Sequence, residues 1–203
     1  MNLQSYFITS PALYPNNSIF IFTQNLQNIS SMHHIDKACF RDNSAIIPDH
    51  LIEIFIRWCE KNQIQSFINL VNTQSSIKYA KLYDAKGVHI KENSLYDTKK
   101  AQNEKLLIFY SSHCIKQAQE ALKIGVDFLT LSPIFHTPNK GIPLGIQYLK
   151  MIDSSIKSRL FALGGIICEN QITQIKTTGV KGFASIRYFQ DTQILKTNNN
   201  VLE

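Results

Sequence analysis

The chain has 203 residues and a formal net charge of +6, with 44% apolar and 18% charged residues. This balance is typical of a globular protein and excludes a disordered chain. The longest apolar runs, such as that around Phe161, are much shorter than the roughly 20 residues of a membrane span. The first ten residues also lack the basic and apolar segments of a secretory signal. We therefore expect one domain over residues 1–203, no membrane contact and a cytoplasmic location.

The basic residues are scattered along the chain and form no dense run interleaved with aromatic residues. This spacing predicts no nucleic-acid partner, whereas a positive charge suits a phosphate ligand equally well. The cysteines lie far apart and form no C-x-x-C pair, which favours buried, reduced thiols over metal ligands; they are Cys39, Cys59, Cys114 and Cys168.

The first half of the chain alternates short β-branched and aromatic segments with stretches of helical period. We predict strands beginning at Ser5, Lys37, Ser66 and Gly87. A helix beginning near Pro48 places apolar residues at i, i+3, i+4 and i+7, namely Leu51, Ile54, Phe55 and Trp58. A further helix is predicted from Ser75. Residues 16–34 are poorly periodic, and we expect an irregular connection there.

The second half repeats this alternation more clearly. Strands are predicted from Leu106, Asp127, Arg159 and Lys181. Glycines are expected to close the first and last intervening helices, at Gly125 and Gly179, and another helix is predicted from Leu144 to about Ile152. The tail from Gln193 has little room for a full closing helix.

Eight predicted strands separated by helical or irregular crossovers indicate a parallel sheet of the α/β class. Eight such units favour a (β/α)₈ TIM barrel in a single compact domain, although about 250 residues is the usual size. The alternative is a doubly wound open sheet. It is weakened because no G-x-G-x-x-G or P-loop follows the first strand.

Ligands of such barrels meet the residues at the carboxyl ends of the strands. Gly164 and Gly165 follow the seventh strand, where missing side chains let backbone N–H groups approach an anion. Ser185, Ile186 and Arg187 end the eighth strand and would add N–H donors and a guanidinium. A glycine pair alone is more often a tight turn, but the two clusters together predict a phosphate site.

The segment GVDFLTLSPIFHTPNKGIPLGI from Gly125, followed by FALGGI from Phe161, resembles the sixth- and seventh-strand motifs of the thiamine-phosphate synthase/TenI family. GVHI from Gly87 is similar to the family's G-V-H-L, and YFITS from Tyr6 to its first strand. The resemblance spans nearly the whole chain and is loosest before Ser66. It implies a barrel and a role in thiamine biosynthesis.

The resemblance also implies ligand contacts. It assigns the thiazole phosphate to the glycine pair and the end of strand eight, which match Gly164, Gly165, Ile186 and Arg187. The loop contacting thiazole and pyrophosphate matches Thr137, Asn139 and Lys140, the serine near the pyrimidine pyrophosphate matches Ser111, and the arginine of the strand-two motif matches Arg41.

The chain departs from the synthase pattern where that pattern binds pyrophosphate and Mg²⁺. Asn43 replaces the pyrophosphate-binding lysine, and Ser94 takes the place of one Mg²⁺ aspartate, with Glu92 two residues earlier. The other aspartate has no counterpart, since the choices are Asn69-Leu70 and Asn72-Thr73. Mg²⁺ on a diphosphate usually needs one or two carboxylates. We therefore expect no tight metal site and no cofactor, except Mg²⁺ if the chain is a synthase.

The departures favour a TenI-like protein that binds a thiazole phosphate and acts as a metal-independent thiazole tautomerase. That reaction needs a general base, for which histidine is well suited. The family's base position is Pro133 here, so His136 and His113 are the candidates, while His89 is interpreted as structural. Two alternatives stay open: a divergent synthase joining hydroxymethylpyrimidine diphosphate to thiazole phosphate, and a non-catalytic phosphate-ligand or regulatory protein. Whether the chain forms a homo-oligomer also stays open.

Overall fold

The computed structural model describes residues 2–190, and in it eight parallel strands close into one barrel. The strands follow one another around the barrel in chain order, and the last pairs with the first. They are β1 Gln4–Ile8, β2 Lys37–Arg41, β3 Gln65–Asn69, β4 Gly87–Ile90, β5 Leu107–Ser112, β6 Phe128–Leu131, β7 Leu160–Leu163 and β8 Gly182–Ser185. The predicted (β/α)₈ barrel is confirmed, and the open sheet is excluded.

Helices connect the strands and cover the outside of the barrel. They are α1 Ile19–Met32, α2 Asp49–Lys61, α3 Thr73–Leu82, α4 Thr98–Asn103, α5 Ile115–Ile124, α6 Gly145–Lys150, α7 Ser154–Lys157 and α8 Glu169–Lys176. Short 3₁₀ turns occupy Pro11–Leu13, Pro15–Asn17 and Glu92–Asp97. None of the helices within residues 2–190 has both the length and the apolar character needed to cross a bilayer.

The barrel interior is packed with side chains from alternate strand positions, because successive strand residues point to opposite faces. Aromatic rings dominate it, and Tyr6 stacks on Phe109 with ring centroids 4.1 Å apart. Phe67 and Phe161 meet these rings edge-on. This layer fills the barrel below its carboxyl ends.

The irregular connection expected over residues 16–34 is wrong, because α1 occupies most of that stretch. Its buried residues are Phe22, Asn25, Leu26 and Ile29, which have the i, i+3, i+4, i+7 spacing of a helix. The polar Asn25 interrupts the apolar pattern, yet it is buried and donates from Nδ2 to the Leu13 carbonyl at 2.8 Å. Exposed Ile19 and Phe20 obscure the pattern further.

Two other helix ends differ from the predictions. The last helix ends at Lys176 with Thr177 as its cap, so Gly179 lies in the following turn at φ +77°. The helix expected to reach about Ile152 ends at Lys150, and a separate short helix, α7, follows. Gly125 does cap α5 in the left-handed conformation, as predicted. The tail prediction from Gln193 falls outside the described residues.

Candidate functional site

A cavity of about 530 Å³ opens at the carboxyl ends of the strands. Every strand, or the loop directly after it, contributes to its wall, with Ile8, Arg41, Asn69, His89, Ser111, Ser132, Leu163 and Ser185 in barrel order. Because all these ends lie on one rim, residues as far apart in the chain as Ile8 and Arg187 surround a single space. This rim is where active sites lie in barrels of this class.

The loops after β7 and β8 form a cup of backbone donors on one side of the cavity. Gly164 and Gly165 lie in the left-handed region, at φ +96° and +72°. The backbone N–H groups of Gly165, Ile186 and Arg187 have no hydrogen-bond acceptor within the described part of the chain. Free backbone N–H groups beside a cavity are typical of anion-binding concavities. We call Gly164, Gly165, Ile186 and Arg187 the phosphate cup.

Ser185 supports this cup from inside the protein rather than facing a ligand with its hydroxyl. The Ser185 Oγ donates to the Ile166 carbonyl at 2.8 Å and accepts from the Tyr188 N–H at 3.1 Å. The first bond joins the end of β8 to the loop after β7, and the second holds the loop that follows Ser185. Arg187 has an exposed side chain that lines the cavity.

The loop after β6 contributes only some of its predicted residues. Thr137 and Lys140 line the cavity, whereas His136 and Asn139 are exposed and do not. The backbone of this loop packs tightly on the cup, since a Cβ on Gly165 would lie 2.5 Å from the His136 carbonyl oxygen. His136 thus contacts the site through its backbone, and its ring is not among the lining groups.

His89 and Ser111 form the polar part of the cavity floor. The His89 Nδ1 lies 3.0 Å from the Tyr6 hydroxyl, and its Nε2 lies 2.9 Å from the Ser111 Oγ. Burial lowers the pKa of His89 from 6.5 to about 3, and the nearby Arg41 charge adds to this effect. The ring is therefore neutral at physiological pH and orients the Ser111 hydroxyl at the cavity.

His113 lies at the rim between two oxygen acceptors. Its Nδ1 is 2.8 Å from the Ser132 carbonyl oxygen, and its Nε2 is 3.0 Å from the Glu92 Oε2. Neither a carbonyl nor an ionised carboxylate can donate, so both contacts are satisfied when both ring nitrogens carry hydrogen. His113 and Glu92 both line the cavity, and they form a candidate pair for proton transfer.

A third group lies at the carboxyl ends of β2 and β4, where Arg41, Asn43 and Lys91 line the cavity. The Lys91 Nζ donates to the Asn43 Oδ1 at 2.8 Å and to the Val71 carbonyl at 3.0 Å. We call these three residues the cationic wall. Burial lowers the pKa of Lys91, and the Arg41 charge lowers it further.

The side chains near the cationic wall do not fit a magnesium ion bound to a diphosphate. Glu92 is the one carboxylate among the lining residues, and it is engaged by His113. The oxygens of Asn43 and Val71 already accept from an ammonium group. Asn69 Oδ1 is buried without a partner in the described structure, but one amide oxygen is a poor substitute for the carboxylates that Mg²⁺ usually takes. Within residues 2–190 no cluster of three His, Cys, Asp or Glu residues could hold a metal.

Sequence reasoning missed Lys91 and the partnership of Glu92 with His113. A signal was present, because Lys91 and Glu92 directly follow β4 and therefore stand at the ligand-binding rim. Of the predicted site residues, Arg41, Ser111, His113, Thr137, Lys140, Gly164, Gly165, Ser185, Ile186 and Arg187 line the cavity together. Their binding roles stay predictions.

Comparisons with known proteins agree with this architecture. The family model described as thiamine monophosphate synthase matches residues 6–189. A putative thiamine-phosphate synthase 2 of Aquifex aeolicus is 35% identical over 123 residues, which are 59% of this chain and 64% of that protein. The Lactococcus lactis thiamine-phosphate synthase is 24% identical over 203 residues, 97% of this chain and 93% of its own. A Pelotomaculum thermopropionicum thiamine-phosphate synthase is 30% identical over 62% of this chain and 60% of its own. The chain thus spans about three fifths of the length of the Aquifex and Pelotomaculum relatives.

Solved structures show the same fold at low identity. Thiamine phosphate pyrophosphorylase from Pyrococcus furiosus superposes with a TM-score of 0.69 at 20% identity and covers 99% of this chain and 98% of its own. The N-acetylmannosamine-6-phosphate 2-epimerase from Clostridium perfringens reaches a TM-score of 0.70 at 10% identity, covering 98% of this chain and 93% of its own. The family model matches residues 6–189, which is nearly the whole barrel together with the residues that line the cavity. This chain therefore belongs to the thiamine-phosphate synthase/TenI family.

Proposed function

We propose that the chain is a TenI-like protein of thiamine biosynthesis that binds a thiazole phosphate, with its phosphate in the phosphate cup, and acts on it as a tautomerase without a metal. The observation that carries the proposal is the set of free N–H groups of Gly165, Ile186 and Arg187 on one side of the cavity. A fully ionised phosphate group accepts hydrogen bonds and donates none, so its oxygens would satisfy these N–H donors. The positive charge of the Arg187 guanidinium would attract the same group.

In this proposal the proton is moved by His113 and Glu92. Tautomerisation breaks a bond to hydrogen at one atom of the ligand and forms a bond to hydrogen at another atom. The ligand therefore neither gains nor loses a proton overall. A positioned acid and base that exchange one proton can perform both steps. The His113 Nε2 lies 3.0 Å from the Glu92 Oε2, and both residues line the cavity proposed to hold the ligand. His136 is the weaker candidate because its exposed ring does not line the cavity.

The second candidate is a divergent thiamine-phosphate synthase. It is supported by the printed names of the Aquifex, Lactococcus and Pelotomaculum relatives, and by Arg41 and Lys91, whose charges suit a diphosphate leaving group. The lack of carboxylates for Mg²⁺ among the lining residues counts against it. A non-catalytic binding protein is the third possibility and is the outcome if neither reaction occurs.

The test measures thiazole proton exchange by NMR with EDTA present, in the wild type and in His113→Gln, Glu92→Gln and His136→Gln. Losing a general acid or base costs about 10²- to 10⁴-fold in rate. We expect that loss in His113→Gln and Glu92→Gln, with His136→Gln near wild type. Loss only in His136→Gln would transfer the role to that residue.

A parallel assay supplies the pyrimidine diphosphate and thiazole phosphate together, with Mg²⁺ or with EDTA. We expect no magnesium-dependent thiamine phosphate formation. Robust turnover that EDTA abolishes would establish the synthase instead. Absence of both reactions, with thiazole phosphate still bound, would leave the binding protein.

A further inference from the structure

The outer face of α1 has no charged side chain, which distinguishes this helix from every other helix within residues 2–190. None of its residues is Asp, Glu, Lys or Arg, and the first such residue of the chain is Asp36. Each of α2 to α8 contains at least one lysine. Charged side chains on the outward face normally keep a surface helix solvated. That contribution is missing from α1.

Four exposed residues form a stripe along this helix. They follow one another at i, i+4, i+7 and i+11, so they share one face, and the buried residues of α1 lie on the opposite face. We call them the α1 stripe: Phe20, Gln24, Gln27 and Ser31. None of them lines the cavity at the barrel rim. The stripe is therefore a surface separate from the candidate site.

Large apolar side chains are exposed at both ends of the α1 stripe. At its start Phe20 is 67% exposed and Ile19 is 51% exposed, and at its end Met32 is 53% exposed. Protein interfaces are enriched in aromatic residues and methionine and depleted in lysine, aspartate and glutamate. The composition of this face is therefore that of an interface.

The charge of the chain favours a second copy of itself as the partner. In a two-fold contact the same patch of both copies meets, so any charge on the patch faces its own like charge. Every other helix in the described part of the chain would bring lysine into such a contact, and the chain carries a net charge of +6. Like charges brought together across an interface disfavour association. Packing through α1 avoids this repulsion.

The amides of the α1 stripe can also pair with their own copies. An amide carries both donors and an acceptor, whereas a lysine carries donors only. The side chains of Gln24 and Gln27 have no hydrogen-bond partner among residues 2–190. With two α1 helices antiparallel and the two-fold axis between these residues, Gln24 of one copy faces Gln27 of the other. The same arrangement brings the Phe20 end of each helix to the Met32 end of the second helix.

We infer that the α1 stripe is the centre of a two-fold interface through which two copies of this chain form a homodimer. A stable interface covers about 800 Å² on each partner, so it extends beyond the stripe. The 3₁₀ turns directly before α1 supply further surface, because their exposed residues are also uncharged; these are Pro11, Ala12, Pro15, Asn16 and Asn17. The inference does not depend on the proposed function.

The test is sedimentation equilibrium of the full chain at several protein concentrations. We expect a dimer for the wild type. The double variant Gln24→Glu, Gln27→Glu should raise the dissociation constant at least about tenfold, because facing carboxylates repel. Gln24→Lys, Gln27→Lys should do the same. An equimolar mixture of the two double variants should form the dimer again, since each carboxylate then faces an ammonium group.

The matched control is Asn170→Glu, Gln174→Glu, which adds the same charge to two exposed amides of α8. It should change the dissociation constant less than about twofold, because exposed charges outside the interface are screened by salt. Circular dichroism shows whether each variant is folded, and Phe20→Ala, which adds no charge, should also weaken the dimer.

Four results would overturn the inference: a monomeric wild type, a dimer that persists in both double variants of α1, equal dissociation of the α8 control, or no dimer in the mixture. An unchanged dissociation constant in Phe20→Ala would also contradict it. Loss of thiazole phosphate binding or of proton exchange, with the dimer intact, would contradict only the proposed function.

Discussion

At the scale of single residues, the phosphate cup depends on the missing side chain of Gly165. The backbone there has φ +72°, and an added Cβ would lie 2.5 Å from the His136 carbonyl oxygen and 2.7 Å from that of Phe135. These are backbone atoms, which cannot swing aside as the end of a flexible side chain can. The glycine therefore serves both the left-handed turn and the close approach of the β6 loop to the cup.

Gly165→Ala should destabilise the protein and abolish phosphate binding at the cup. The left-handed conformation costs an alanine about 1–2 kcal/mol, and the overlap with the β6 loop adds about 1–3 kcal/mol. The matched control is Gly179→Ala, because Gly179 has φ +77° with nothing within 4 Å of an added Cβ. It should show the conformational cost alone. Urea unfolding and phosphate titration measure the two effects, and equal behaviour of the variants would contradict this account.

At the scale of elements, α1 is attached to the preceding 3₁₀ turn by one buried polar contact. The Asn25 amide donates to the Leu13 carbonyl, and both residues are fully buried or nearly so. Ser18 caps the helix start by accepting from the Ile21 N–H. The polar residue thus fixes how the helix meets the turn that follows β1.

Asn25→Ala should lower the free energy of unfolding by about 1–3 kcal/mol, because the Leu13 carbonyl would be left buried without its donor. Asn28→Ala, at an exposed position of the same helix, should change stability by less than about 0.5 kcal/mol. Chemical denaturation of both variants is the measurement. A loss in Asn28→Ala as large as that in Asn25→Ala would refute the role of the buried contact.

At the scale of the whole molecule, the packed interior and the cavity above it share His89. Its ring lies against the Tyr6 and Phe109 rings below and bonds to the Ser111 hydroxyl above. Because burial holds the pKa of His89 near 3, the folded protein keeps the ring neutral at pH values where the unfolded chain protonates it.

This difference predicts acid sensitivity. The unfolded chain binds the proton as the pH falls through about 6.5, while the folded protein does not until about 3. The contribution of the neutral His89 ring to the free energy of unfolding is therefore fully present above pH 6.5. It is lost as the pH falls toward 3, by up to about 1.4 kcal/mol per pH unit. In urea unfolding between pH 7 and pH 4, the free energy of unfolding should decrease less steeply with falling pH for His89→Gln than for the wild type. His50 is exposed on α2, so His50→Gln should keep the wild-type dependence of the free energy of unfolding on pH. If His89→Gln keeps it too, the interpretation fails.

Much of the architecture could be predicted because it is locally encoded. The strands are short β-branched and aromatic runs, and their alternation with helices implies a parallel barrel. The glycine pair after β7 and the residues ending β8 were recognisable because a barrel places every strand end on one rim. The segment that became α1 was missed, since Asn25 interrupts the apolar period and is satisfied only by the Leu13 carbonyl.

The sequence by itself determined the order of strands, the family resemblance and most of the residues at the rim. Only the tertiary structure decided how those residues combine. It paired His113 with Glu92, left His136 exposed and outside the cavity lining, and brought Lys91 between Asn43 and Val71. These contacts join loops from different strands, separated by 20 to 48 positions in the case of Lys91. Local periodicity carries no information about such distances, whereas closure of the barrel fixes them.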